Sequence, residues 1–121
     1  MRLRRAILFV KDMERMLAFY WNAMGLAPLQ QEAVDGWVEL DAGGTSLALH
    51  AIPVELAKGI TFTNPPRPRE TAPVKLVFVV PDLEAERARL VSLGVSISEI
   101  RPWGACDGID PEGNVFQLAR E

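Results

Sequence analysis

One histidine, one tyrosine and one cysteine are all that this chain of 121 residues offers of those three types. Cys106 has no second cysteine with which to close an internal disulfide, which fits a reducing cytoplasm. No apolar run approaches the ~18 residues of a membrane span. The opening MRLRRAILFV starts like a signal peptide, but its apolar run stops at Lys11-Asp12. That is too short for a hydrophobic region with a cleavage site. A basic excess is also missing: 13 Lys and Arg stand against 16 Asp and Glu, for a net charge of −3. This argues against nucleic acid as a partner. There is no Gly-rich phosphate loop, no Ser-His-Asp order and no CxxC pair. The sequence therefore reads as a cytoplasmic protein that engages neither membrane nor nucleic acid.

What is present is an ordinary globular composition, 49% hydrophobic and 24% charged, able to bury a core. The length fits one small domain, or two half-size modules packed together. An internal repeat favours the second description. ILFVKDMERMLAFYWNAMGL (7–26) resembles VFVVPDLEAERARLVSLGV (77–95), each an apolar strand, an Asp, a helical stretch and a Gly. Asp12 matches Asp82 at an offset of 70, and Gly25 matches Gly94 at 69. DAGGTSLAL (41–49) then matches DPEGNVFQL (110–118), again at 69.

Each half reads as strand, helix, then strands. Asp12 is a good N-cap, followed by Met13, Met16, Leu17, Tyr20 and Met24 at helical spacing, with Gly25 in the C′ position. Strands are expected at 3–10, 28–33, 36–42, 45–51, 74–80, 96–100, 103–109 and 114–120. The fold class is α+β, two βαβββ modules at 1–52 and 74–121. Between them, 53–73 carries five prolines and reads as a linker or lid, not a packed element.

The Gly43-Gly44 turn allows a register to be derived. A two-residue loop pairs Ala42 with Thr45, and hence Asp41 with Ser46, Glu39 with Ala48 and Trp37 with His50. The apolar pairs Leu40–Leu47 and Val38–Leu49 must face the helix, so Trp37, Glu39, Ala48 and His50 share the other face. On the first strand Arg5, Ile7 and Phe9 join that face, and in the repeat Lys75, Val77 and Val79 do. On the last strand Phe116 and Leu118 face the core, and Gln117, the repeat equivalent of Ala48, points away.

The stretches FVKDMERMLAFYWNAMGL, GGTSLALH, VFVVPDLEAERARLVSLGV and DPEGNVFQL resemble the vicinal oxygen chelate superfamily. Its members include glyoxalase I, the bleomycin- and fosfomycin-resistance proteins and the extradiol dioxygenases. The resemblance implies two βαβββ modules forming a curved half-barrel sheet, whose concave face is the ligand site, often completed in a homodimer. Metal-using members place His, Gln or Glu at four positions, which motif by motif are Arg5, Ala48, Lys75 and Gln117 here. Arg and Lys are protonated and Ala has no donor atom. One amide does not hold a divalent ion, and a fixed cation at contact range repels it by about 1–4 kcal/mol. No metal cofactor is expected at those positions.

Three readings follow. In the first, the protein is a metal-free small-molecule binder, homodimeric, with a pocket lined by Arg5, Phe9, Trp37, Glu39, His50, Lys75, Trp103 and Gln117. Arg5 and Lys75 would form a two-cation floor for an anionic ligand, and Trp37 and Trp103 aromatic walls for a planar one. In the second, a divalent metal displaced to His50, Glu39 and Gln117 serves a lyase, isomerase or dioxygenase, with Asp107 as a further candidate. A third, non-enzymatic reading is a fold partner that acts through its dimer or linker surface.

Overall fold

The first strand, β1 (Arg5–Val10), pairs in parallel with the last strand of its own half, β3 (Ser46–Ala51). β2 (Trp37–Asp41), between them in sequence, runs antiparallel to β3 on its other side, giving the order β1-β3-β2. A parallel pair needs a crossover, and α1 (Met13–Ala18) begins it. Its N-cap is Asp12, whose Oδ1 accepts from the Arg15 amide at 3.1 Å. The helix widens into a π-helical turn at Phe19–Ala23 before the chain returns to the sheet. The computed structural model describes residues 1–30, 34–69 and 71–121. They form two compact units, Met1–Thr61 and Phe62–Glu121.

The register derived from the glycine turn is the one observed. Trp37 pairs with His50, Glu39 with Ala48 and Asp41 with Ser46, and the Ala42 amide bonds to Thr45 O at 3.0 Å. Gly43 and Gly44 carry φ of 77° and 100°, the left-handed values a two-residue hairpin loop demands. The helix-facing set is buried: Leu40, Leu47, Leu49 and Val10 close on Met16 and Tyr20 of the crossover. Each such side chain contributes about 1.5–3 kcal/mol on leaving water.

The second unit repeats this plan. Strand β4 (Leu76–Val80) lies parallel to β6 (Val115–Arg120), with β5 (Ala105–Ile109) antiparallel on the far side. Asp82 caps α3 (Leu83–Ser92) through the Ala85 amide at 3.0 Å. Phe116 and Leu118 are buried as expected, with Leu83, Leu90 and Cys106, and Phe78 meets Phe116 edge-on at 6.1 Å.

The expected strands at 28–33 and 96–100 do not form as strands among the described residues: each is reduced to one isolated bridge, and Pro28 has no amide with which to extend the first. Leu29 N bonds to Glu39 O and Asp41 N to Ala27 O, both at 2.8 Å, around the bridge Pro28–Leu40. The equivalent contacts in the second unit, Ser98 N to Asp107 O and Ile109 N to Ser96 O, flank the bridge Ile97–Gly108. Positions 31–33 of the first of these expected strands lie outside the described residues.

The proline-rich segment differs from expectation in one respect, because a single helical turn, α2 (Val54–Ala57), starts directly after Pro53 and buries Ala57. Proline at a helix start loses no hydrogen bond, and its fixed φ suits the first turn. Further on, the segment is tied to the DPEGN turn: the Arg69 amide donates to Gly113 O at 2.9 Å and Arg69 Nε to Glu112 O at 3.1 Å. Among the described residues no helix is long and apolar enough to cross a membrane.

Candidate functional site

In the first unit three cross-strand rows cover the face opposite the helix. They are Arg5, Ser46 and Asp41; then Ile7, Ala48 and Glu39; then Phe9, His50 and Trp37. Parallel pairing of β1 with β3 brings the first strand into this alignment, so five of the predicted residues, Arg5, Phe9, Trp37, Glu39 and His50, share one surface.

Glu39 is its electrostatic centre. Arg5 Nη2 lies 3.0 Å from Glu39 Oε1 and 3.1 Å from Oε2. Ser46 Oγ donates to Oε2 at 2.8 Å. The Ser46 hydroxyl foremost, and after it the Arg5 guanidinium, hold the Glu39 carboxyl below its ordinary value, while burial pushes the other way. The Arg5 guanidinium also lies over the Trp37 ring, 5.5 Å from its centroid. Its Nε is buried without a hydrogen-bond partner.

His50 stands in a row of rings. Its centroid is 5.5 Å from Phe9 and 5.3 Å from Trp37, the latter edge-on. His50 and Phe9 are both exposed, so this row presents aromatic surface to the outside.

The second unit reproduces the charge pair with different residues. Lys75 Nζ lies 3.3 Å from Asp107 Oδ1. Val77, Gln117 and Asp107 form one row, and Gln117 Nε2 reaches Asp107 Oδ1 at 3.5 Å. Asp107 stands opposite Gln117 as Glu39 stands opposite Ala48, which makes it the equivalent of Glu39. The expected cations Arg5 and Lys75 are thus each matched by a carboxylate of their own unit. Trp103 is 72% exposed in the turn Arg101–Gly104.

The four positions that the sequence resemblance assigns to a metal are chemically unsuited to one. In the first unit they are an ion-paired guanidinium and a buried methyl, Ala48. In the second they are an ion-paired ammonium and one amide. For the displaced alternative, Glu39 has both oxygens engaged and His50 has aromatic neighbours. Among the described residues no group of three or more His, Cys, Asp or Glu side chains is placed to hold a metal ion.

Two features escaped the sequence reading. Ser46 as a partner of Glu39 was accessible from the derived register, since it sits diagonally across on the same face. A cleft of about 440 Å³ was not accessible; it lies beside the hairpin and is lined by Arg2, Leu3, Arg4, Leu29, Asp41 and Thr45, with Glu39 and Ser46 also on its lining.

Comparison with known proteins places this geometry in context. The family model described as Glyoxalase/Bleomycin resistance protein/Dioxygenase superfamily matches residues 2–118. Among solved structures, a superfamily member from Sphaerobacter thermophilus is 25% identical, with a TM-score of 0.70 over 100% of this chain and 98% of that one. An antibiotic binding protein from Streptomyces sp. CB03234 is 24% identical, with a TM-score of 0.72 over 99% and 95% of the two chains. The trypanothione-dependent glyoxalase I of Leishmania major is 22% identical, with a TM-score of 0.77 over 100% and 87%. No curated protein matches the chain.

Proposed function

The chain belongs to the glyoxalase/bleomycin resistance protein/dioxygenase superfamily, and on that premise we propose that it binds a small molecule without a metal. The ligand lies on the sheet face of the first unit that carries Arg5, Phe9, Trp37, Glu39 and His50; within the second unit Lys75 and Gln117 meet at Asp107, and Trp103 is an exposed ring. The functional protein is a homodimer. One observation carries this reading: the Arg5–Glu39 pair, at 3.0 Å, stands where metal-using relatives need an uncharged or anionic donor. Filling that place with a guanidinium removes the metal and leaves the scaffold with aromatic surface and a few fixed polar groups. Sequestration needs nothing more.

The residues divide the work by chemistry. Phe9 and Trp37 offer faces and edges for a planar ring, with His50 between them as a hydrogen-bonding group. The Arg5–Glu39–Ser46 cluster fixes Trp37 from behind by cation–π contact. Acid–base catalysis needs a base oriented by a second group, and the ring neighbours of His50 are aromatic. That arrangement favours holding a ligand over transforming one. Binding a small molecule is also what the Streptomyces neighbour's name describes; at that identity the likeness supports the fold, and the functional reading rests on the residues.

The test combines metal analysis with ligand screening. Tag-free protein incubated with Mn, Fe, Co, Ni or Zn and desalted should retain far less than one ion per chain by elemental mass spectrometry. A ligand found by quenching of tryptophan fluorescence should bind about tenfold more weakly to Trp37→Leu. Near-stoichiometric metal uptake that disappears in His50→Ala would overturn the proposal.

A further inference from the structure

Charge matching on the sheet face leaves two cations over. Arg5 is held by Glu39 and Lys75 by Asp107, whereas among the described residues neither Arg2 nor Arg4 has a carboxylate within ion-pair distance. Both line the cleft of about 440 Å³ beside the hairpin. Glu39, also on its lining, is already engaged by Arg5 and Ser46, with Arg4 acting on it only at longer range, so Asp41 is the one lining carboxylate with no cation of its own. We infer that this cleft binds a small organic anion, a carboxylate or a phosphate ester with an apolar body.

Three observations support that class of ligand. First, the segment bearing the two arginines is anchored. Thr45 Oγ1 donates to the carbonyls of Leu3 and Arg4 at 3.3 and 2.9 Å, and the Ser46 amide to Arg4 O at 3.3 Å. The backbone between the guanidiniums is therefore fixed against the hairpin. Second, guanidinium groups bind carboxylate and phosphate through paired donors, and two of them outnumber the single unmatched Asp41. Asp41 itself is turned to its own loop, accepting from the Gly43 amide at 2.9 Å. Third, Leu3 and Leu29 give the cleft apolar walls, and its volume lies in the range of small-molecule sites. The cleft adjoins the proposed binding face and shares Glu39 with it, but Arg2 and Arg4 are not part of that face, so the double variant tests the cleft independently of the Phe9–His50–Trp37 row.

Amide chemical-shift mapping on the ¹⁵N-labelled full chain tests it, with sodium benzoate and phenyl phosphate as probes and benzylammonium as the cationic control at matched ionic strength. The expected result is a saturable shift of the Arg4, Gly44, Thr45 and Ser46 amides with the two anions and none with the cation. In Arg2→Gln/Arg4→Gln the dissociation constant should rise about tenfold or more, since hydrogen bonds to charged groups are lost. Lys58→Gln, a cation of the same unit that pairs with Glu55 away from the cleft, should leave it unchanged. The spectrum of each variant reports its fold directly. Equal shifts with anion and cation, shifts confined to the Phe9–His50–Trp37 row, an unaltered constant in the double variant, or an equal loss of binding in Lys58→Gln would each overturn the assignment.

Discussion

Arg5 and Glu39, 34 residues apart in the chain, meet across the first sheet with Nη2 lying 3.0 Å from Oε1. The pair is two-sided in exposure: the Arg5 side chain is 32% exposed and that of Glu39 10%. Removing the cation therefore leaves a largely buried carboxylate with Ser46 as its remaining partner. Arg5→Ala should destabilise the protein by about 2–4 kcal/mol in urea titration, somewhat less than a fully buried pair loses. Arg5→Met/Glu39→Leu should recover most of that loss, because the double variant strands no charge. Equal stability of both variants would show that the pair is solvated and idle.

The lowered pKa of Glu39 gives a pH dependence with a definite sign. Its contribution is fully present above the ordinary value of 4.5 and disappears as pH falls through the depressed folded value. Ser46→Ala removes the largest cause of the depression. Carboxyl ¹³C titration should then find the Glu39 midpoint shifted upward, and acid unfolding should begin at a higher pH than in the parent.

Cys106 should be chemically quiet. It is buried, and desolvation, the largest influence on it, raises its thiol above the ordinary value. Reaction with a disulfide reagent at pH 8 should be slow in the folded protein and fast in denaturant. Rapid labelling without denaturant would place the thiol at the surface.

Gly108 and Phe116 are partners across β5 and β6, and a Cβ at Gly108 would overlap the Phe116 ring. Phe116 is itself 1% exposed and cannot swing outward without vacating the core. Gly108→Ala should cost about 1–3 kcal/mol by overpacking. Adding Phe116→Leu should cost less than the sum of the two single changes, which a double-mutant cycle measures.

How far these arrangements could be read from the chain depended on the range of the signal. The Gly43-Gly44 turn fixes a two-residue loop, and with a period of two every pair of β2 and β3 follows, including Trp37 with His50. Asp107 had no such anchor: β5 and β6 are joined by the longer DPEGN turn, which does not fix a two-residue register, so its facing stayed undetermined until its pairing with Gln117 was seen. The ion pairs are longer-range still. Arg5 and Lys75 looked like bare cations because their carboxylates lie 34 and 32 residues away, across strands that meet only in the folded sheet. Pro53 misled for a local reason, since the same ring that breaks a helix interior favours its first turn.

Parallel pairing of each opening strand with the closing strand of its own half bears on how the chain is made. Arg5 waits for Ser46, and Val10 for Ala51, but neither needs any residue of the second sheet for its strand partner. Every strand of the first sheet is therefore available once Ala51 has left the ribosome, before β5 and β6 have been made. Domains generally fold in the order of their synthesis. The repeat thus divides assembly into two short searches in place of one long one.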